Sequence, residues 1–234
     1  MTKENGKIVF SESMKLADLI DMNWHLLNVL SRLDIGLGFR ENTISEVCAE
    51  QGINLNAFLL ICNVYTYDDY VPSAELLSGA DPATIVDYLH NSHAFYLDKA
   101  FTSLEESIAA MVEPCDDLQK KIVARFFADY RAQVENHFAY EENVVFPYVR
   151  SLKDSTSREG YTIEQFEENH SNIDETLHDL KNIVMKYLPD TCDTVQRNEV
   201  LYRIFRLEED LAKHTIVEDT VLIPLVNRIE DSIK

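Results

Sequence analysis

The chain has little glycine and little proline, with six of each among its 234 residues. These two residue types mark most turns and helix ends, so their scarcity predicts long helices with few connections. Apolar stretches long enough to span a bilayer are missing. Apolar and polar residues also do not alternate for long enough to predict strands. We therefore expect an all-α protein without a membrane-spanning segment.

Basic residues are also few, because 21 Lys and Arg face 41 Asp and Glu and leave a formal net charge of -20. This balance argues against nucleic acid or an anionic membrane as a partner. The polar N-terminus has no apolar segment typical of a signal peptide. Cys48, Cys62, Cys115 and Cys192 show no C-x-x-C spacing and no disulfide framework. We expect reduced, buried thiols in a cytoplasmic protein.

One pattern, H-x3-E-[ED]-x-V-x-[FI]-P, occurs twice in the chain. Its copies are His137-x3-Glu141, followed by Phe146-Pro147, and His214-x3-Glu218, followed by Ile223-Pro224. Residues four apart lie on one face of a helix, so each copy presents an imidazole and a carboxylate in one direction. A single such pair is common on exposed helices, but two copies with the same trailing residues predict a metal site. Glu142 is taken as an ordinary surface acid.

A histidine also precedes each copy, on the helix before it. His90 precedes His137 by 47 positions, and His170 precedes His214 by 44. We choose His90 as the ligand because this spacing resembles that of His170, while His93, three positions later, stays an alternative ligand or a hydrogen-bonding neighbour. The residue numbers of the two copies differ by 80 for these histidines and by 77 for the His-x3-Glu units. This long offset, in only two copies, indicates a duplicated helical hairpin.

Two helical hairpins make an up-down-up-down four-helix bundle, predicted over residues 79–234, after a small module of short helices over residues 1–78. Facing side chains in a bundle core commonly build metal sites. Four imidazoles and two carboxylates suit iron, and two irons bridged by the carboxylates use them most economically. Zinc fits less well because it prefers four ligands, and manganese stays open. The predicted ligands are His90, His137, Glu141, His170, His214 and Glu218.

Local signals add expectations about individual elements. Residues 1–13 read as a lead-in without regular structure, and one helix is predicted from Lys15 to about Leu33. Asn42 or Thr43, and then Asn54, can cap the short helices that follow. Pro147 and Pro224 lie late in long helices, and each should kink its helix or end its regular part.

The motifs resemble those of the hemerythrin-like, HHE cation-binding domain, and most closely those of its di-iron proteins for repair of iron centres. The residues that carry this resemblance are His90, His137-x3-Glu141 with Phe146-Pro147, Glu168-Asn-His170, and His214-x3-Glu218 with Ile223-Pro224. The resemblance implies a non-haem di-iron centre with the four histidines as terminal ligands and the two glutamates as bridges. It also implies restoration of iron–sulfur clusters damaged by oxidative or nitrosative stress, and reactivity with nitric oxide.

Two positions depart from the family. Leu33-Asp34-Ile35-Gly36-Leu37-Gly38 stands where the family's N-terminal module carries an adjacent cysteine pair. Asp174 stands where oxygen-carrying hemerythrins have a further histidine, and it is a candidate extra ligand or a hydrogen-bonding partner of a ligand. The first hypothesis is therefore a stress-response protein that donates iron to damaged iron–sulfur proteins or reduces nitric oxide. The alternatives are a sensor of oxygen, nitric oxide or iron that signals through the N-terminal module, and simple storage of iron or oxygen. Whether the protein is an enzyme is left open.

Overall fold

The computed structural model describes residues 2–4, 7–152, 160–169, 174–189 and 191–233. Its class is all-α, as predicted. The N-terminal residues were expected to have no regular structure. Instead, β1 (Thr2–Glu4) and β2 (Lys7–Val9) form a short antiparallel hairpin with Thr2 opposite Val9. Strands this short are too brief for a period of two to stand out in the sequence.

The helices follow in chain order through the rest of the described residues. They are α1 (Leu16–Met22), α2 (Leu26–Arg32), α3 (Ile44–Gln51), α4 (Leu55–Thr66), α5 (Ala74–Gly79), α6 (Pro82–Phe95), α7 (Phe101–Val112), α8 (Asp117–Tyr140), α9 (Phe146–Ser151), α10 (Ile163–Asn169), α11 (Asp174–Asn182), α12 (Thr194–Val217) and α13 (Ile223–Ile233). Within the described part of the chain, none of them is long and apolar enough to cross a membrane.

The short N-terminal helices begin at the predicted caps. Thr43 and Glu46 form a reciprocal capping box at the start of α3, which satisfies two backbone N–H groups that have no partner inside the helix. Gly52 ends α3 with a φ of 69°, a left-handed conformation that glycine adopts without steric cost. The Asn54 side chain accepts a hydrogen bond from the Ala57 N–H and so caps α4.

The single helix predicted from Lys15 to Leu33 is instead two helices. The break lies at Asn23, whose backbone is extended and whose side-chain oxygen accepts the His25 N–H at 3.0 Å. The Asn23 amide also donates to Thr66 Oγ1 at 3.0 Å. Asparagine forms such local side-chain to backbone bonds readily, and they compete with helical ones.

Among the described residues, π-helical segments interrupt the long helices at Tyr96–Ala100, Glu141–Val145 and Glu218–Leu222, and a further π segment, Ile183–Tyr187, ends the helix that begins with α11. Two of these segments start at the glutamates of the repeated pattern and end just before its prolines. A proline has no N–H for the carbonyl four residues earlier and its ring presses on that carbonyl, so a wider turn relieves the conflict. The prediction that each proline kinks its helix or ends its regular part is confirmed in its second form, since α8 ends at Tyr140 and α12 at Val217, before the helix resumes as α9 and α13.

The same side-chain bond supports both of these widened turns. Asn143 donates to the Ala139 carbonyl at 2.6 Å, and Thr220 donates to the Ile216 carbonyl at 2.6 Å. Both bonds join residues four apart, and the two bonds are related by the same offset as the two His-x3-Glu units. Polar side chains that bond back to such carbonyls often accompany bends in helices. The duplication therefore extends from the sequence pattern to the local backbone.

The first of two compact units comprises Met1–Ser92, Val145–Asn169 and Lys213–Lys234. One apolar core joins the N-terminal helices to later segments, because α13 packs on α5 and on α10. Arg32 is buried in this unit and donates to the phenol oxygens of Tyr65 at 2.7 Å and Tyr88 at 3.2 Å. The predicted boundary between residues 78 and 79 stays a prediction.

The second unit comprises His93–Val144 and His170–Ala212. Here α8 packs against α7 and against α11. Its core is rich in aromatic rings, and Phe101 meets Phe127 and Tyr130 edge-on with ring centroids about 6 Å apart. The helical class is confirmed, and the up-down-up-down order of four long helices stays a prediction.

Candidate metal centre

The first copy of the repeated pattern brings His137 and Glu141 together. His137 lies in the last turn of α8, and Glu141 begins the π segment one turn later. The distance from His137 Nε2 to Glu141 Oε1 is 2.9 Å. The Glu141 side chain is completely buried, whereas His137 is 11% exposed. A carboxylate with this degree of burial needs a compensating positive charge or strong hydrogen bonds.

His93, near the end of α6, faces the same carboxylate from a second helix. Its Nε2 lies 3.0 Å from Glu141 Oε2. The ring stacks on Phe138 with centroids 3.9 Å apart and an interplanar angle of 14°. Each oxygen of Glu141 therefore faces a different imidazole, and the stacking limits the rotation of the His93 ring.

Glu142 holds the other nitrogen of His93. Its Oε1 lies 2.7 Å from His93 Nδ1, and the glutamate is 30% exposed. An ionised Glu142 accepts a hydrogen bond from the N–H at His93 Nδ1. The lone pair of the neutral ring is then on Nε2, which faces Glu141. Histidines that bind metals commonly have such a carboxylate on the second ring nitrogen. Glu142 is thus a positioning residue, where the sequence suggested only a surface acid.

The second copy repeats the arrangement on α12 and its π segment. His214 Nε2 lies 3.2 Å from Glu218 Oε1. Both side chains are buried, with Glu218 completely so and His214 2% exposed. The pattern therefore places an imidazole against a completely buried carboxylate in each copy.

Within the described residues, one group of four buried side chains could hold a metal ion. His93, Glu141, His214 and Glu218 each offer one ligand atom, and these atoms all lie within 4.8 Å of one another. Imidazole nitrogens and carboxylate oxygens are the ligands of non-haem iron, and they also suit manganese and zinc. A metal cation would offset the cost of burying two carboxylates, so the donor set fits a metal.

The predicted ligands have different positions relative to this group. Glu141, His214 and Glu218 belong to it, and His137 contacts Glu141. His90 lies at the exposed surface of α6 and outside the group. His170 and the side chain of Asp174 lie outside the described residues.

The sequence also contains a signal that favours His93 over His90 as a ligand. His93 precedes His137 by 44 positions, and His170 precedes His214 by the same number. The offset between His93 and His170 is therefore identical to the offset between His137 and His214. Three steps along a helix change a side chain's direction by about 60°. Here that change separates the buried His93 from the exposed His90.

Comparison with known proteins agrees with the repeated pattern. A family model described as the hemerythrin HHE cation-binding domain matches residues 84–226. The match covers both His-x3-Glu units and His93, and it exceeds half of the chain. No curated protein matches the chain.

Proposed function

The chain belongs to the hemerythrin family, and from this premise we propose that it is a non-haem di-iron protein of the oxidative and nitrosative stress response. It restores damaged iron–sulfur clusters by donating iron, reduces nitric oxide, or does both. The observation that carries the proposal is the pair of completely buried glutamates, Glu141 and Glu218, each in contact with imidazole nitrogen.

In the proposed centre, Glu141 and Glu218 would be shared by the two irons. His93 and His137 would also hold iron, because both imidazoles face Glu141. His214 would do the same beside Glu218, together with His170, which the offset of the repeat relates to His93. Two irons held close would each bind a small diatomic molecule such as oxygen or nitric oxide and share the electrons between them.

The proposed ligands differ in burial, and the buried and the exposed ones suit different proposed activities. His93, Glu141 and His214 are almost completely buried, which excludes bulk water and suits a reaction with a small apolar gas. His137 is the most exposed of the proposed ligands in the described part of the chain. In iron donation, His137 would be the ligand that water or a receiving thiolate reaches most easily.

The test compares two matched double variants in the absence of oxygen. Glu141→Ala with Glu218→Ala removes the proposed bridges. Glu135→Ala with Glu199→Ala removes exposed glutamates from α8 and α12. We expect the first variant to lose bound iron, reactivation of a damaged [4Fe–4S] hydratase and consumption of nitric oxide, and the second to keep all three.

Stoichiometry then separates donor from reductase. A donor restores at most as many clusters as its iron allows and becomes iron-free, whereas a reductase consumes many equivalents of nitric oxide and keeps its iron. If the bridge-free variant retained two irons and full activity, the assignment of Glu141 and Glu218 as bridges would be wrong.

A second candidate function, sensing through the N-terminal helices, has its own supporting observation. Met22, Trp24, Leu27 and Leu37 are large apolar residues on and beside α1 and α2, and they are 39–76% exposed. The core of these helices includes later segments of the first unit, so the test uses the full chain. Sensing would be favoured if the protein could be cross-linked to a partner only when it holds iron. The Trp24→Ser variant should then lose this cross-link while it keeps its iron. Identical cross-linking with and without iron would remove its support.

A further inference from the structure

Two of the four cysteines, Cys115 and Cys192, meet inside the second unit. Cys115 lies between α7 and α8, where its N–H donates to the Val112 carbonyl at 2.9 Å. Cys192 precedes α12, and its N–H donates to the Pro189 carbonyl at 3.1 Å. Their side chains are within hydrogen-bonding contact, and both residues belong to the same buried core.

The two cysteines are also equivalent positions of the duplicated hairpin. Their residue numbers differ by the same amount as those of His137 and His214, or of Glu141 and Glu218. When a residue contacts the equivalent residue of the other copy, the two copies face each other symmetrically at that point, as in an isologous contact. The two turns at this end of the unit therefore present their thiols to each other.

We propose that Cys115 and Cys192 are an oxidative modification site, at which a reversible disulfide joins the turn before α8 to the turn before α12. Hydrogen peroxide is the oxidant. One sulfur attacks a peroxide oxygen, the O–O bond breaks, and a sulfenic acid and water form. The second thiol attacks that sulfenic sulfur and releases another water. Two thiols thus lose two electrons and two protons, and the peroxide accepts them.

Burial determines how readily this site reacts. It raises the pKa of the Cys115 thiol to about 11, and contact with Cys192 acts in the same direction. The thiolate is the nucleophile, so little of the reactive form exists at neutral pH. The disulfide therefore forms slowly, under sustained oxidation, and acts as a covalent lock of the fold. A cysteine that turns over in catalysis would need a lower pKa.

The disulfide should stabilise the second unit because it closes a long loop. Joining Cys115 to Cys192, which lie far apart in the chain, removes much of the freedom of the unfolded state. From the dependence of this entropy on loop length, we expect the Tm to rise by about 9–18 °C.

The experiment uses the full chain under native conditions with a chelator, so its result does not depend on the proposed iron chemistry. The protein is treated with hydrogen peroxide, remaining thiols are blocked with N-ethylmaleimide, and peptides are mapped by mass spectrometry. Thermal unfolding is recorded before oxidation, after it, and after dithiothreitol. We expect a linked peptide pair containing Cys115 and Cys192, and a gain in Tm that dithiothreitol reverses.

A matched control comes from the first unit, where Cys48 and Cys62 are also buried, and where burial and then the charge of Cys48 raise the pKa of Cys62. Cys115→Ala should abolish the linked peptide and the gain in Tm, whereas Cys48→Ala should keep both. If Cys115→Ala does not fold, the peptide map of the unmodified protein still shows whether Cys115 and Cys192 become linked. A map without the link between Cys115 and Cys192, or a link that does not raise the Tm, would overturn the proposal.

Discussion

Removing the Glu142 carboxylate tests how the candidate centre is built. Glu142 bonds to His93 Nδ1 at 2.7 Å and so directs Nε2 toward Glu141. Loss of such a partner typically lowers metal affinity about 10–100-fold, or about 1.4–2.7 kcal/mol. Glu142 is 30% exposed, and water screens part of its interaction, so we place Glu142→Ala near the lower end of that range.

The assay is a competition for iron(II) between the protein and a coloured chelator, without oxygen. Glu135→Ala is the matched control because Glu135 lies on α8 and pairs with Arg131 at the surface. We expect the control to bind like the unmodified protein, and Glu142→Ala to bind about 10–30-fold more weakly while the metal-free proteins unfold at similar temperatures. Equal affinity in both variants would refute the view that Glu142 positions a ligand.

Three further predictions test the ligand choice, the core and a cap. His93→Ala should lose iron and His90→Ala should keep it, as measured by metal analysis, because only His93 is buried beside Glu141. Phe101→Ala should destabilise the fold by about 3–5 kcal/mol in urea unfolding, since the ring is fully buried among other aromatics. Thr43→Ala should cost about 1 kcal/mol in the same assay through loss of the α3 capping box.

Features that depend on neighbouring residues were predictable from the sequence. The caps of α3 and α4 and the ends of α8 and α12 follow from local chemistry, and the repeated pattern predicted the two imidazole–carboxylate pairs. The choice between His90 and His93 depends on the exact offset of the repeat, which favours His93. The short hairpin and the break at Asn23 were missed because each involves only a few residues.

Features that depend on distant residues were not predictable. The core shared by α5, α10 and α13 joins segments far apart in the chain, and no local period reports such packing. The contact of Glu142 with His93 likewise joins positions 49 residues apart. The meeting of Cys115 with Cys192 became visible only after the copies had been placed in space, although the offset that relates them was in the sequence.

Both copies of the pattern should bind iron together. Metal analysis of protein purified without oxygen tests this most directly. The His137→Ala and His214→Ala variants are purified in parallel, one for each copy. We predict two irons per chain in the unmodified protein and a substantial loss in both variants, because each copy supplies ligands to one centre. Absence of iron, or a single zinc that neither substitution affects, would contradict the di-iron centre and every activity proposed for it.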